Sequence, residues 1–414
     1  MARPHRPVVL GYDAVSPLGV DLDVQWERAV AGESGVGPLT RFPLPPGFPV
    51  RLAGQVPEID LGAYPYLSPR KLAAWSSPVF AHAILVAHRA LEHAGLAIDA
   101  ALGPRVAVTF GTAVGGLDAV LAADRALVAT GAMPMPWMNP NSCVNMPTGA
   151  VAISLDLTGP IVTPVTACAT GATSIALGAI LLEAGMADVA LCGAVDFALV
   201  APIVAGFASM NGAYKSRPGE RPEAVSRPFS AGRAGFVVAE GAAAVVLSTA
   251  EFARAHGLEP RCELAGWSMN ADAHKPVAPR RDTVARCMRL ALEDAGCRLE
   301  EVDAVSAHAT STPAGDRVEA DALADVFGAA VPPVTALKSQ TGHMMGASSA
   351  LETVFAIEGL RRGLLPPVLN HDPDPEFRLD AAPVTRALEQ RVVLKNAFGF
   401  GGANTCLVLR RAAA

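Results

Sequence analysis

One order of segments runs through this sequence twice. PVVLG (7–11) opens as a strand. RVAVTFG (105–111) is a second apolar run, leading into the glycine loop TAVGGL. A third run at 161–165 passes into a helical stretch that continues through 177–185. DVALCGAV (188–195) reads as a buried strand, and FVVAEGAAAVVLS (236–248) ends the first part as another. The second part repeats this. Residues 261–270 have the character of an opening strand, and 303–316 are a strand and loop matching 106–116. Residues 333–360 are a strand, a loop and a long helix matching 164–182. NTCLVLR (404–410) closes the chain as GAAAVVLS closed the first part. Helical spacing at 22–32, 79–95 and 283–296 supplies covering helices. The halves, about 1–255 and 256–414, share a βαβ-type order, which predicts an α/β fold with parallel sheets covered by helices.

Within that frame, IVTPVTACATGATSIA (161–176) places Cys168 where a strand gives way to a helix. The first N–H groups of a helix lack intrahelical partners, and the dipole is positive there. A thiolate at that point is stabilised, so the expectation is a lowered thiol pKa and an available nucleophile. Ala167, Ala169 and Gly171 leave room beside the sulfur. Taken alone, such a cysteine is more often a buried packing residue.

Composition narrows the chemistry. The 414 residues are 51% hydrophobic and 17% charged, enough for a large core. The net charge of −6 and the lack of a basic block argue against nucleic acid as partner. Seven scattered cysteines without CxxC pairs argue against a zinc site and a disulfide scaffold, so no metal is expected, and a reducing cytoplasm is. The opening MARPHRPVVLGYD lacks the apolar core of a signal peptide. No apolar run is long enough to span a membrane. His82, His88 and His93 have no acidic or Cys partners and read as packing or surface residues.

Three further motifs fall on strand-end loops of the second half. HATSTPAGD (308–316) carries His308, LKSQTGH (337–343) carries Lys338 and His343, and NAFGFGGAN (396–404) is a glycine-rich turn around Phe400. A thiol, two histidines and a lysine on such loops can converge on one pocket. With these four motifs in this order and spacing, over nearly its whole length, the chain resembles the elongating, type II β-ketoacyl-acyl carrier protein synthases of the thiolase-like superfamily.

The resemblance implies a thiolase-like fold, with the two duplicated halves stacked as an α-β-α-β-α sandwich. It implies that Cys168 accepts an acyl chain as a thioester, and that malonyl-carrier protein then loses CO2 and extends the chain by two carbons. His308 and His343 would donate through Nε2 to the enolate oxygen. Lys338 would order and bias the site, paired with Glu319. The backbone N–H groups of Cys168 and Phe400 would form an oxyanion hole, with Phe400 as a gate between Gly399 and Gly401. Thr310 and Thr312 match positions that bind the pantetheine arm, and Val114 matches an acyl-pocket position. Phe207 and Phe229 are expected in the pocket or gate, and Asn404 beside the substrate. Trp137 and Met138 belong to the segment that reaches the neighbouring subunit's pocket. No cofactor is implied beyond the phosphopantetheine of the acyl carrier protein.

Departures from the family pattern set a further expectation. Ala309 follows the first histidine where glycine is usual, and FSAGRAG (229–235) lacks carboxylates at Ser230 and Ala234. DAHKPVAP (272–279) resembles the second gating loop but lacks its usual Tyr-His-Met-Thr, and 68–77 carries only Arg70 and Lys71 of a basic cluster. These point to a specialised ketosynthase of a type II polyketide or polyene pathway. The alternatives are a housekeeping fatty-acid elongation synthase and a non-catalytic chain-length subunit. A thiolase is disfavoured because Phe400 occupies the loop where a second catalytic cysteine would stand. Polar Asn139, Asn141 and Ser142 beside Trp137 raise a heterodimer with a chain-length-factor-like paralogue beside a homodimer as the expected assembly.

Overall fold

The structure is a computed structural model and describes residues 6–412. Residues 1–5, part of the stretch read above for a signal core, lie outside it. Ten strands form one hydrogen-bonded array. From edge to edge they are Val334–Thr335, Ala304–Ser306, Val392–Gly399, Ala403–Arg410, Cys262–Ala271, Pro7–Val15, Gly241–Thr249, Val189–Asp196, Val106–Gly111 and Ile161–Val162. Read inward from either edge, the strands of each half come in the same chain order: third, second, fourth, fifth, first. The halves meet at two residue pairs, Val8 with Glu263 and Val9 with Cys262.

The expectation of parallel sheets holds only for the outer strands. Val106–Gly111 runs parallel to both its neighbours, whereas Gly241–Thr249 is antiparallel to both of its own. The second half shows why. Val392–Gly399 and Ala403–Arg410 are joined by the turn 400–402, and so short a link can connect only antiparallel strands. The sheet is therefore mixed.

Burial separates five layers. The helices Pro78–Ala94 and Met146–Leu155 cover the outer face of the first half. The helices Arg281–Asp294 and Pro313–Phe327 cover that of the second. Between the halves lie Thr170–Glu183 and Gly346–Arg362, packed on strands from both. A helix covered on all sides has no polar stripe to show, which explains the small apolar and hydroxyl residues of both. They touch closely enough for the Ala172 N–H to donate to Ser349 Oγ at 3.0 Å. The run 161–165 forms only the short exposed strand Ile161–Val162, because Pro164 has no N–H to extend the ladder. Among the described residues, no helix is long and apolar enough to cross a membrane.

Candidate active site

The central helices bring the motifs together. Cys168 lies in the single 3-10 turn Ala167–Ala169 before the helix Thr170–Glu183. Ala167 has φ +49°, a left-handed conformation that costs a side-chain-bearing residue about 1–2 kcal/mol. Thr170 holds it there: its Oγ1 donates to the Ala167 carbonyl at 2.7 Å and accepts the Thr166 N–H at 3.0 Å.

Cys168 Sγ stands 3.0 Å from His343 Nε2, across the divide between the halves. His343 Nδ1 is 3.0 Å from Ser348 Oγ, which also accepts the Met344 N–H at 2.7 Å. The buried Ser348 hydroxyl proton needs an acceptor, and Nδ1 is the one within reach. The imidazole proton then sits on Nε2 and faces the sulfur. The His308 ring centroid is 5.7 Å from that of His343, with the planes at 84°.

Lys338 and its partner differ from expectation. The Lys338 ammonium donates to the His308 carbonyl, stands 3.4 Å from His308 Nδ1, and is paired with Glu352. Glu319 instead accepts the N–H groups of His308 (2.9 Å) and Ala309 (2.7 Å). The expected Lys338–Glu319 pair is replaced because each carboxylate serves a different part of His308: Glu319 its backbone, Glu352 its lysine.

Burial dominates the electrostatics. It holds both imidazoles well below the ordinary histidine range, and the Lys338 ammonium adds to the effect. At neutral pH each is uncharged with one N–H to donate. Burial also pushes the Cys168 thiol up to about 11, against the opposing pull of Lys338 and the Phe400 N–H. The expected lowering is thus overturned. A helix dipole contributes about 0.3–1 kcal/mol, up to ~2 in favourable geometry, whereas full burial shifts a pKa by up to roughly 3–5 units.

The sulfur opens on a cavity of about 560 Å³, which His308, His343, Thr310, Thr312, Val114, Phe207 and Phe400 also line. Phe400 is half-buried with its ring 6.3 Å from Phe207, and Phe207 packs on Phe236 at 5.2 Å. Gly399 lets this turn approach: a Cβ there would lie 2.2 Å from the Thr166 carbonyl oxygen. Gly401 has φ +83° and donates its N–H to Pro276 at 2.7 Å, tying the turn to the loop 272–279, most of which also lines the cavity. Asp196 anchors the opposite wall, accepting from Thr112 Oγ1 (2.8 Å) and the N–H groups of Val114 (3.0 Å) and Gly346 (2.8 Å).

Two family descriptions match the chain: "Beta-ketoacyl synthase, N-terminal domain" over residues 5–253 and "Beta-ketoacyl synthase, C-terminal domain" over 261–372. The chain belongs to the beta-ketoacyl synthase family.

It is a condensing enzyme of the acyltransferase class. Among its relatives, the 3-oxoacyl-[acyl-carrier-protein] synthase 2 of Coxiella burnetii is 37% identical over 98% of this chain and 99% of the relative. That of Rhizobium meliloti is 34% identical over the same shares. Of solved structures, "the ishigamide ketosynthase/chain length factor" matches with TM-score 0.90 and 33% identity, over 99% of this chain and all of that one. A type II PKS acyl-carrier protein in complex with its ketosynthase, bound to the hexaketide, matches with TM-score 0.88 and 28% identity, over 99% and 100%.

In this β-ketoacyl synthase several residues lie away from the cavity where the sequence had put them. Phe229 is fully buried in the second half's core, 6.3 Å from Phe377, because its N–H is drawn to Asp316 at 2.8 Å. Asn404 is buried one layer back, donating to Asp272 Oδ1 at 2.6 Å and Asn270 Oδ1 at 3.0 Å. It supports the loop and does not face the cavity. Trp137, expected at a neighbouring subunit's pocket and not at this one, is 54% exposed. Asn141 is not an amide in need of a partner subunit: within its own chain it donates to the carbonyls of Ala74 and Trp137 and accepts from Ser76. Sequence reasoning missed Glu352, Lys395, Ser348 and Asp196. Two had a signal: Glu352 interrupts an apolar helical run, and Lys395 interrupts the strand-like VVLKNAF.

Proposed function

We propose that this enzyme carries out the decarboxylative condensation of malonyl-acyl carrier protein with an acyl chain held on Cys168. The observation that carries this reading is the meeting of Cys168 Sγ, His343 Nε2, the His308 ring and Lys338 at one end of a cavity that Thr310 and Thr312 also line. In the first step the Cys168 sulfur attacks the carrier thioester. The N–H groups of Cys168 and Phe400 stabilise the tetrahedral oxyanion, and the carrier thiol leaves with the proton. In the second, the malonyl carboxylate departs as CO2, and the enolate oxygen is held by Nε2–H of His308 and His343. Neutral imidazoles suit this, because they donate without readily protonating the carbanion. The enolate carbon forms the new C–C bond as the C–S bond to Cys168 breaks, and the departing Cys168 thiolate takes its proton from water.

The Thr310 and Thr312 hydroxyls, 3.0 Å apart, suit the amides of a pantetheine arm. Phe400 gates the sulfur, and Val114 and Phe207 bound the acyl pocket. Ala309, Ser230 and the proline-containing loop 272–279 favour a specialised polyketide or polyene role in the cytoplasm over housekeeping elongation. The likeness to a ketosynthase/chain length factor supports the same reading. Exposed Val128, Met133, Trp137 and Ile153 suit a dimer contact, through which Trp137 and Met138 would reach the partner's pocket. Native mass spectrometry with and without a chain-length-factor paralogue distinguishes homodimer from heterodimer. The central test is intact-mass analysis after incubation with acyl-carrier proteins of graded chain length. An acyl adduct should form on the wild type and vanish in Cys168→Ala; an adduct that persists in that variant refutes the assignment.

A further inference from the structure

Two adjacent polar residues on the strand Val392–Gly399, Lys395 and Asn396, are wholly enclosed. Successive strand residues face opposite sides of a sheet, and these two reach different carboxylates. Asn396 Nδ2 donates to Glu319 Oε1 at 3.0 Å, behind the backbone of His308. Lys395 Nζ stands 2.7 Å from Glu352 Oε2, an ionic contact, and also donates to its neighbour Asn396's carbonyl. Glu352 Oε1 already holds Lys338. Two ammonium groups therefore share one carboxylate where the side chains of all three are at most 2% exposed.

One lysine suffices to compensate a buried carboxylate. The second adds a positive charge behind His308, where Glu319, held by the His308 and Ala309 N–H groups and by Asn396, is the other carboxylate. We propose that Lys395 is a positioning residue for the condensation: by sharing Glu352, it leaves the Lys338 ammonium free to hold His308 and adds a second cation behind the two imidazoles. The proposal rests on the reaction described above, in which negative charge develops on an oxygen facing those imidazoles. Positive charge behind them favours that oxyanion and keeps the rings neutral. His308 is faced by His343, Lys338, Lys395 and Glu319, and His343 by Cys168, His308, Lys338 and Lys395. Burial lowers both rings most, and the two lysines act in the same direction. Cys168 is influenced by Lys338, Asp196 and the Phe400 N–H.

The test is the rate of malonyl-carrier protein decarboxylation against pH for wild type, Lys395→Met and Lys395→Arg, with thermal unfolding and Cys168 alkylation alongside. Lys395→Met leaves Glu352 paired with Lys338, so no unpaired carboxylate is created. Its rate should fall on the order of tenfold, less than the ~10²–10³ of a lost direct donor. Its acid limb should move to higher pH, because rings released from a cation protonate more readily. The pH profile of Cys168 alkylation should stay as in the wild type. Lys395→Arg should retain the wild-type acid limb. A Lys395→Met enzyme with unchanged rate and acid limb overturns the proposal, as does a Lys395→Arg enzyme that matches it in losing both. Should Lys395→Met fail to fold, Lys395→Gln takes its place under the same criteria: a rate and an acid limb both unchanged from wild type overturn the proposal. A wild type inert toward malonyl-carrier protein would be a different failure, that of the reaction itself, and would take the proposal with it.

Discussion

Replacing Gly399 by alanine tests the oxyanion hole through geometry alone. The added Cβ would lie 2.2 Å from the Thr166 oxygen and 3.3 Å from the Ala169 nitrogen, whereas ordinary van der Waals contact begins at 3.4 Å. All of these partners are backbone, so the strand end and the Cys168 turn must part by about 1 Å. Overpacking of this kind costs about 1–3 kcal/mol of stability, well short of unfolding most domains. The kinetic cost is larger, because the displaced atoms include the Phe400 N–H that reaches the sulfur. A misplacement of ~1 Å costs on the order of 10²-fold in rate. Single-turnover acylation of Cys168, followed by intact mass, reads the effect, and thermal unfolding separates it from loss of fold. Gly401→Ala is the control. There nothing lies within 4 Å of the added Cβ, and only the positive φ of +83° is penalised. It should cost about 1–2 kcal/mol of stability and leave acylation near wild type. A Gly399→Ala enzyme that acylates within about threefold of wild type, where the misplacement argument demands ~10², would refute the reasoning.

Three further outcomes follow from the site. Alkylation of Cys168 should track a thiol that titrates near 11, and Lys338→Met should move the profile higher still, since the ammonium opposes burial; a midpoint at or below the ordinary 9.0 contradicts this. His308→Ala and His343→Ala should each slow malonyl decarboxylation by roughly 10²–10³ while sparing the fold, and wild-type decarboxylation in both would remove them from the enolate site. Glu352→Gln leaves Lys338 and Lys395 without their shared carboxylate. It should lose about 3–5 kcal/mol of stability, as expected when one partner of a buried ion pair is removed; an unchanged denaturation midpoint would contradict the pairing.

The duplicated order and the convergence of Cys168, His308, Lys338 and His343 were legible because they lie in three separate motifs at strand ends, Lys338 and His343 sharing one. The mixed direction of the sheet was not, since an apolar run carries no arrow and only the turn 400–402 betrays the reversal. Local rules also misjudged Cys168: the helix start is visible in sequence, but the burial that outweighs it comes from residues more than a hundred positions away. Lys338 was given the wrong carboxylate for a related reason. Glu319 and Glu352 both belong to the second half, and only the packing of Gly346–Arg362 between the sheets decides which one meets the lysine. Phe229 and Asn404 sit in or beside motifs that line the cavity yet point elsewhere, a choice made by Asp316 and Asp272.

The division of the site between two halves, whose strands pair along the array at two residue pairs among the described residues, makes turnover a gauge of docking. The 3.0 Å from sulfur to imidazole spans that divide. It is kept by the backbone pairing of His343 with Val237 and Ala239, and by helix contacts such as the one between Ala172 and Ser349. A change that loosens this contact lengthens the reaction distance while every strand stays hydrogen-bonded. On warming, such an enzyme falls silent before it melts, and the interval between inactivation and unfolding measures how firmly the halves grip each other.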